Sequence, residues 1–244
     1  MFEKILTFKA DKEYLKRTEL LPEPIKLHIP DWFKKLKHTP EFKTVKGCMP
    51  FLDTLTTGYL LKTPLDYRII HNHVKDGERG SFFNTILSEK KQLNFMNLNS
   101  DGQAHPYPQL GKECPYVNKN KDLPFYKILN PWIIKTPPGY SCLFVPPLNN
   151  TDDRFSIIPG IVDTDTFPTQ INFPFIINGD KYPVLDTVIK MGTPYVQIIP
   201  FKREKWKMKI ESDTPVKNAK ENFFLQFKII NNYKEKFWNK KSWK

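Results

Sequence analysis

Two aspartates one residue apart, Asp163 and Asp165 in GIVDTDTF, follow a turn-forming stretch. They supply the oxygen chemistry of a divalent-cation site if a third oxygen ligand converges on them. The competing assignment is a pair that stabilises its own turn, the commonest use of aspartate there. His71 and His73 in RIIHNHV alternate along a candidate strand, which puts both on one side of it and makes them candidate ligands for a transition metal. No third ligand stands at a recognisable zinc spacing from them, and a surface histidine pair is the alternative. A cysteine nucleophile needs a base and an accessible thiolate. Cys142 in SCLFV and Cys48 beside Met49 and Pro50 instead have apolar neighbours that suit a buried thiol.

A second kind of chemistry is electrostatic. The chain has 244 residues, with 38 Lys or Arg against 26 Asp or Glu, a formal charge of +12. From Phe201 to Lys244 there are 13 basic and 5 acidic residues, so this tail holds +8 of the total. Lys202, Arg203, Lys205, Lys207 and Lys209 stand at its start, after the β-rich part of the chain, and are the candidate nucleic-acid contacts. A solvated charge run is the alternative. Tyr140, Phe144, Phe155, Phe167, Phe173 and Phe175 could stack on bases, but that many aromatics in a β-rich block are first of all core.

The elements that would position these groups are mainly strands. Twenty-two prolines and 19 phenylalanines against only 10 glycines favour short strands and rigid turns over long helices. ILTFKA and EPIKLHIP read as extended, and Asp31 is placed to cap a short helix carrying Trp32, Phe33 and Leu36. A helix at Phe51 to Thr56 and strands from Tyr59 and Tyr67 are expected next. WIIKT, SCLFVPP, FSIIPGIV, INFPFIIN, VIKM and YVQIIPF then recur with compact turns between them, the rhythm of a barrel or sandwich. Thr214-Pro215 opens a predicted helix over about 214–240, with Phe223, Phe227, Ile230 and Tyr233 on its docking side. The reading is one β-rich domain over 1–244, its barrel within 45–200. The apolar runs are far shorter than the roughly 20 residues of a membrane span. The three cysteines, Cys114 included, form no disulfide framework and suit a reducing compartment.

From Gly58 to Pro200 the order of motifs resembles the dUTPase and dCTP-deaminase superfamily. Gly58-Tyr59-Leu60 stands where that family has a glycine-tyrosine-aspartate turn, Thr136-Pro137-Pro138-Gly139 resembles its turn into a barrel strand, and Gly160 to Phe167 resembles its glycine, hydrophobic, aspartate segment. Gly192 to Ile199 resembles its late strand. The resemblance implies a distorted β-barrel, commonly trimeric, with Asp163 as a candidate catalytic residue that arranges water and nucleotide. It also implies Phe167 near the sugar and Gln197 near the nucleotide. The family aspartate is replaced by Leu60, and no arginine-serine-serine phosphate motif or glycine-rich C-terminal closing segment is present.

IPDWFKKL, KGCMPFLDTLTTGY, KTPPGYSCLFVPP and GTPYVQIIPFKRE are also similar to an uncharacterised family of marine tailed phages and bacteria. The expected function is a non-catalytic, phage-associated structural or accessory protein on a dUTPase-like scaffold, with no cofactor, forming a homo-oligomer and touching nucleic acid. It would act in the cytoplasm of an infected or bacterial cell, or on the virion; the start MFEKILTFKADKEYLKR lacks the continuous apolar region of a secretory signal. One alternative is a divergent nucleotide hydrolase using Asp163, Phe167, Gln197 and Mg²⁺, with Arg68, Arg154 or Arg203 on the phosphates. The other is a cupin-like enzyme holding a transition metal at His71 and His73.

Overall fold

The computed structural model describes residues 3–39, 41–75, 77–85, 104–149, 152–212 and 232–244. The chain clusters into two compact units. One, the β-rich unit, comprises Met1–Glu23 and Tyr59–Lys202; the other, the basic unit, comprises Pro24–Gly58 and Arg203–Lys244.

In the β-rich unit the chain forms β1 (Thr7–Lys9), helix α1 (Lys12–Leu15), and β2 (Glu23–Pro24) where it leaves the unit. It returns with β3 (Tyr59–Lys62), β4 (Tyr67–Lys75), β5 (Glu78–Thr85), β6 (Ala104–His105), helix α4 (Pro115–Lys119), β7 (Phe125–Ile128) and β8 (Ile133–Lys135). Then follow β9 (Tyr140–Val145), β10 (Phe155–Ile157), β11 (Gly160–Val162), β12 (Phe173–Ile177), β13 (Leu185–Ile189) and β14 (Pro194–Lys202). The sheets run β11-β9-β14-β3-β2, β10-β12-β7-β6, β13-β4-β5 and β1-β8, and every resolved pairing is antiparallel. The fold is mainly β, as expected.

No set of described strands closes into a barrel. The described strands fall into four separate sheets whose edge strands do not pair with one another. Pro174 and Pro200 have no N–H to give, yet the ladders run through both, Pro174 opposite Lys127 and Pro200 opposite Cys142. The expected strand FSIIPGIV is split at Pro159 into β10 and β11, which belong to different sheets.

Aromatic contacts knit the core. Tyr67 stacks on Phe83 with ring centroids 4.8 Å apart, Phe83 meets Phe175 edge-on at 4.9 Å, and Phe173 touches both Phe144 and Tyr195. Tyr14 brings α1 onto Trp132, and the Asp11 carboxylate accepts from Glu13 N to start that helix. Buried Asn120 closes the end of α4: its amide donates to Leu123 O while its oxygen accepts from Ile177 N of β12.

The basic unit begins with a 3₁₀ turn at Ile25–His28, then α2 (Asp31–Lys35) and α3 (Met49–Thr56), and its described C-terminal part contains α5 (Asn232–Lys236). Asp31 does not cap α2. It is the first helical residue, after Pro30, and its carboxylate pairs with Lys34 one turn on, where an acidic group suits the helix start. Phe33 is buried and stacks on Phe51 of α3, while Trp32 stays 40 % exposed. Residues 213–231 of the expected terminal helix, with Phe223, Phe227 and Ile230, lie outside the described residues. The described end is helical only to Lys236, because the chain then turns and Trp238 Nε1 donates to the Asp53 carboxylate of α3 at 3.1 and 3.2 Å, with Lys241 Nζ 2.6 Å from the same group.

Candidate nucleic-acid interface

Charge follows the division of the chain. The basic unit holds 18 Lys or Arg and 8 Asp or Glu, a net of +10, whereas the larger β-rich unit holds 20 and 18, a net of +2. The excess seen in the C-terminal tail therefore continues into the segment 24–58.

The most extended part of this charge is an arm, residues 203–212, which follows β14 in the chain and lies in neither helix nor strand. Every residue of it is exposed, including Trp206 at 87 %, Met208 at 83 % and Ile210 at 84 %. Arg203, Lys205, Lys207 and Lys209 occupy the alternate positions. In extended backbone this puts Arg203, Lys205, Lys207, Lys209 and Glu211 on one side and Glu204, Trp206, Met208 and Ile210 on the other, with same-side residues about 6.7 Å apart. The ion pair between Lys209 and Glu211 joins residues two apart, the contact that extended backbone allows on one side. Of the five basic residues singled out from the sequence, four thus fall in one row. Lys202 is the last residue of β14, opposite Tyr140.

A second basic cluster went unrecognised in the sequence. Lys35, Lys37, His38 and Lys46 line a shallow depression with Leu36 and Thr39. Lys46 Nζ donates to Lys34 O at 2.8 Å, and His38 Nδ1 accepts from Thr44 N at 2.9 Å, which closes the loop. Gly47 permits this approach, since a Cβ there would come within 2.3 Å of the His38 ring. The spacing KKLKH…K was the available signal.

The candidate hydrolase residues are placed apart. Asp163 follows β11 on the surface, where its carboxylate accepts from Ser141 Oγ at 2.6 Å and its carbonyl from the N–H groups of Thr166 and Phe167. Asp165 accepts from Gly139 N at 2.9 Å, and Gly139 has a φ of 82°. Both aspartates thus staple one turn to another. Phe167 is 39 % exposed, and its carbonyl accepts from Lys135 Nζ. Gln197 is fully buried in the middle of β14, its side-chain oxygen accepting from Leu148 N at 2.9 Å. It lies opposite Val145 of β9, whereas Asp163 is bonded to Ser141, four residues along that strand and roughly 13 Å away. Arg68 and Arg154 are each bidentate on a carboxylate, Asp186 and Asp152 respectively, and Arg154 also donates to Thr187 Oγ1.

A cleft of about 240 Å³, lined among others by Asp152, Asp153, Ser156, Asn178 and Tyr195, contains neither Asp163 nor Gln197. It is smaller than the roughly 300–1,000 Å³ usual for ligand pockets.

The two histidines are not brought together either. A bulge interrupts the β4–β5 ladder between Ile70 and His73, with Asn72 at a φ of 55°. The strand's alternation is broken there, so His71 is fully buried and His73 exposed. Burial, and after it the Arg79 and Lys121 cations, push the His71 imidazole down to about 4. Its Nδ1 lies 3.3 Å from Ser81 Oγ. Among the described residues no group of three or more His, Cys, Asp or Glu could hold a metal.

No family model matches the chain, and a search of the curated proteins returns no match. No helix among the described residues is long and apolar enough to cross a membrane.

Proposed function

We propose that the chain is a non-catalytic accessory protein that contacts nucleic acid through its basic unit. The observation that carries this reading is the segregation of charge, +10 on the basic unit against +2 on the β-rich one. A row of cations on an extended arm neutralises successive phosphates without a base-reading motif, so binding would be driven by counterion release and be largely indifferent to sequence. The β-rich unit serves as scaffold, akin to the dUTPase superfamily in its order of motifs but with the candidate nucleotide residues used in turns and ladders. A phage-associated role in the cytoplasm or on the virion rests on the second sequence resemblance alone.

The test is binding of mixed-sequence single- and double-stranded DNA and RNA, read by anisotropy between 50 and 200 mM salt. Six or more phosphate contacts would cost about a thousand-fold or more in affinity over that range. The variant K205Q/K207Q/K209Q is expected to lower the slope of log K against log salt by roughly two to three. Absence of binding at the lowest salt, or a slope the triple variant leaves unchanged, overturns the proposal.

A further inference from the structure

We infer that the apolar side of the arm is a homotypic contact, and that two copies of the chain pair arm to arm as an antiparallel two-stranded ribbon about a two-fold axis at Met208. This goes beyond nucleic-acid contact, which uses the opposite side of the arm.

Three large apolar side chains, each more than 80 % exposed, stand at alternate positions of residues 203–212, a stretch in neither helix nor strand, and extended backbone would align them on one side. Single exposed apolar residues are ordinary, but three of them at alternate positions of a stretch outside any sheet offer a template for another strand. The residue order identifies that strand. In an antiparallel register centred on Met208, Trp206 faces Ile210 of the second copy, Met208 faces its own counterpart, and Lys205 faces Glu211. Directly opposed residues point to the same side of such a pair, so Trp206, Met208 and Ile210 of both copies form one side, flanked by Glu204 and Ser212, and the lysines with Glu211 form the other. A two-fold contact must be self-complementary, and the arm is so in its apolar residues and in the Lys205–Glu211 pair at this register.

The one unfavourable pairing is Lys207 against Lys209, which occurs twice and gathers four lysines at the centre of the basic side. A polyanion laid across that centre would relieve it, which gives association and nucleic-acid binding a shared element. Nine residues per strand, 204–212, span about 30 Å, a contact at the small end for specific association, so the dimer should dissociate on dilution.

The experiment is sedimentation velocity of the full chain, free of nucleic acid, across a dilution series. A concentration-dependent dimer is expected, lost in W206S/M208S. Both positions are exposed, so an unchanged circular dichroism spectrum and melting profile will accompany that loss. K205E and E211K should each weaken the dimer by roughly three- to ten-fold, and K205E/E211K should restore it, because the pair occurs twice at the axis. A monomer at every concentration overturns the inference, as does a dimer indifferent to W206S/M208S or a charge swap that fails to restore association. Because nucleic acid is absent, none of these outcomes bears on the polyanion reading.

Discussion

The two units spend their residues differently. In the β-rich unit a set of aromatic side chains is turned inward: Tyr67, Phe144, Phe173, Phe175 and Tyr195 are all nearly inaccessible, and opposite charges almost cancel. In the basic unit a tryptophan, a methionine and an isoleucine stand in water beside a row of cations. The difference teaches that one chain can separate the work of holding a shape from the work of meeting a partner, and that residue type alone does not say which work a residue does.

The sharpest way to break this contrast is to truncate one aromatic from each unit. Phe175, 2 % exposed and touching Phe83 and Phe155, should cost about 3–5 kcal/mol as F175A, measured by urea denaturation. W206A should change the unfolding midpoint of the isolated monomer by less than about 0.5 kcal/mol. Similar losses for both would erase the distinction.

A smaller effect is expected from acid. The folded protein keeps His71 neutral down to about pH 4, whereas the unfolded chain takes up that proton near the ordinary histidine value. The unfolded state then binds more protons in that window, so stability is full above about pH 6.5 and erodes as pH falls toward 4. Melting temperature should decline from pH 6.5 to 5, above the carboxylate range, and H71F should flatten that decline; an unchanged slope in the variant would assign the decline to another group.

Smallest of all is the effect of Y195F. The Tyr195 hydroxyl is buried without a hydrogen-bond partner among the described residues, and burial holds its phenol well above the ordinary value. Removing the oxygen should leave stability unchanged or raise it by up to about 1 kcal/mol. A loss of that size instead would show the hydroxyl to be partnered.

How much of this was legible in the sequence depends on the range of the interaction. The strands from Tyr59 and Tyr67 and those of the 132–202 block were readable because apolar periodicity and flanking turns are local signals. Closure into a barrel was not, since it requires strands far apart in sequence to pair. The shared side assigned to His71 and His73 failed at a single bulge, which strict alternation does not announce. Asp163 and Asp165 were weighed first as turn residues, and the bonds from Ser141 and Gly139 show what they hold. The basic stretch after β14 was visible as composition. Its two-sidedness was equally visible, as every second residue, but was read only as charge. The union of 24–58 with the C-terminal segment was beyond local reading, because nothing near residue 53 names Trp238.

That last contact also fixes an order of events in time. Asp53 and Trp238 are 185 residues apart in the chain. At roughly 5–20 residues per second, a ribosome reaches the tryptophan some 10–40 s after it has made the carboxylate. The β-rich unit is completed within that interval, Met1–Glu23 having been made before it and Tyr59–Lys202 during it, so it can fold while the first half of the basic unit still waits for its second.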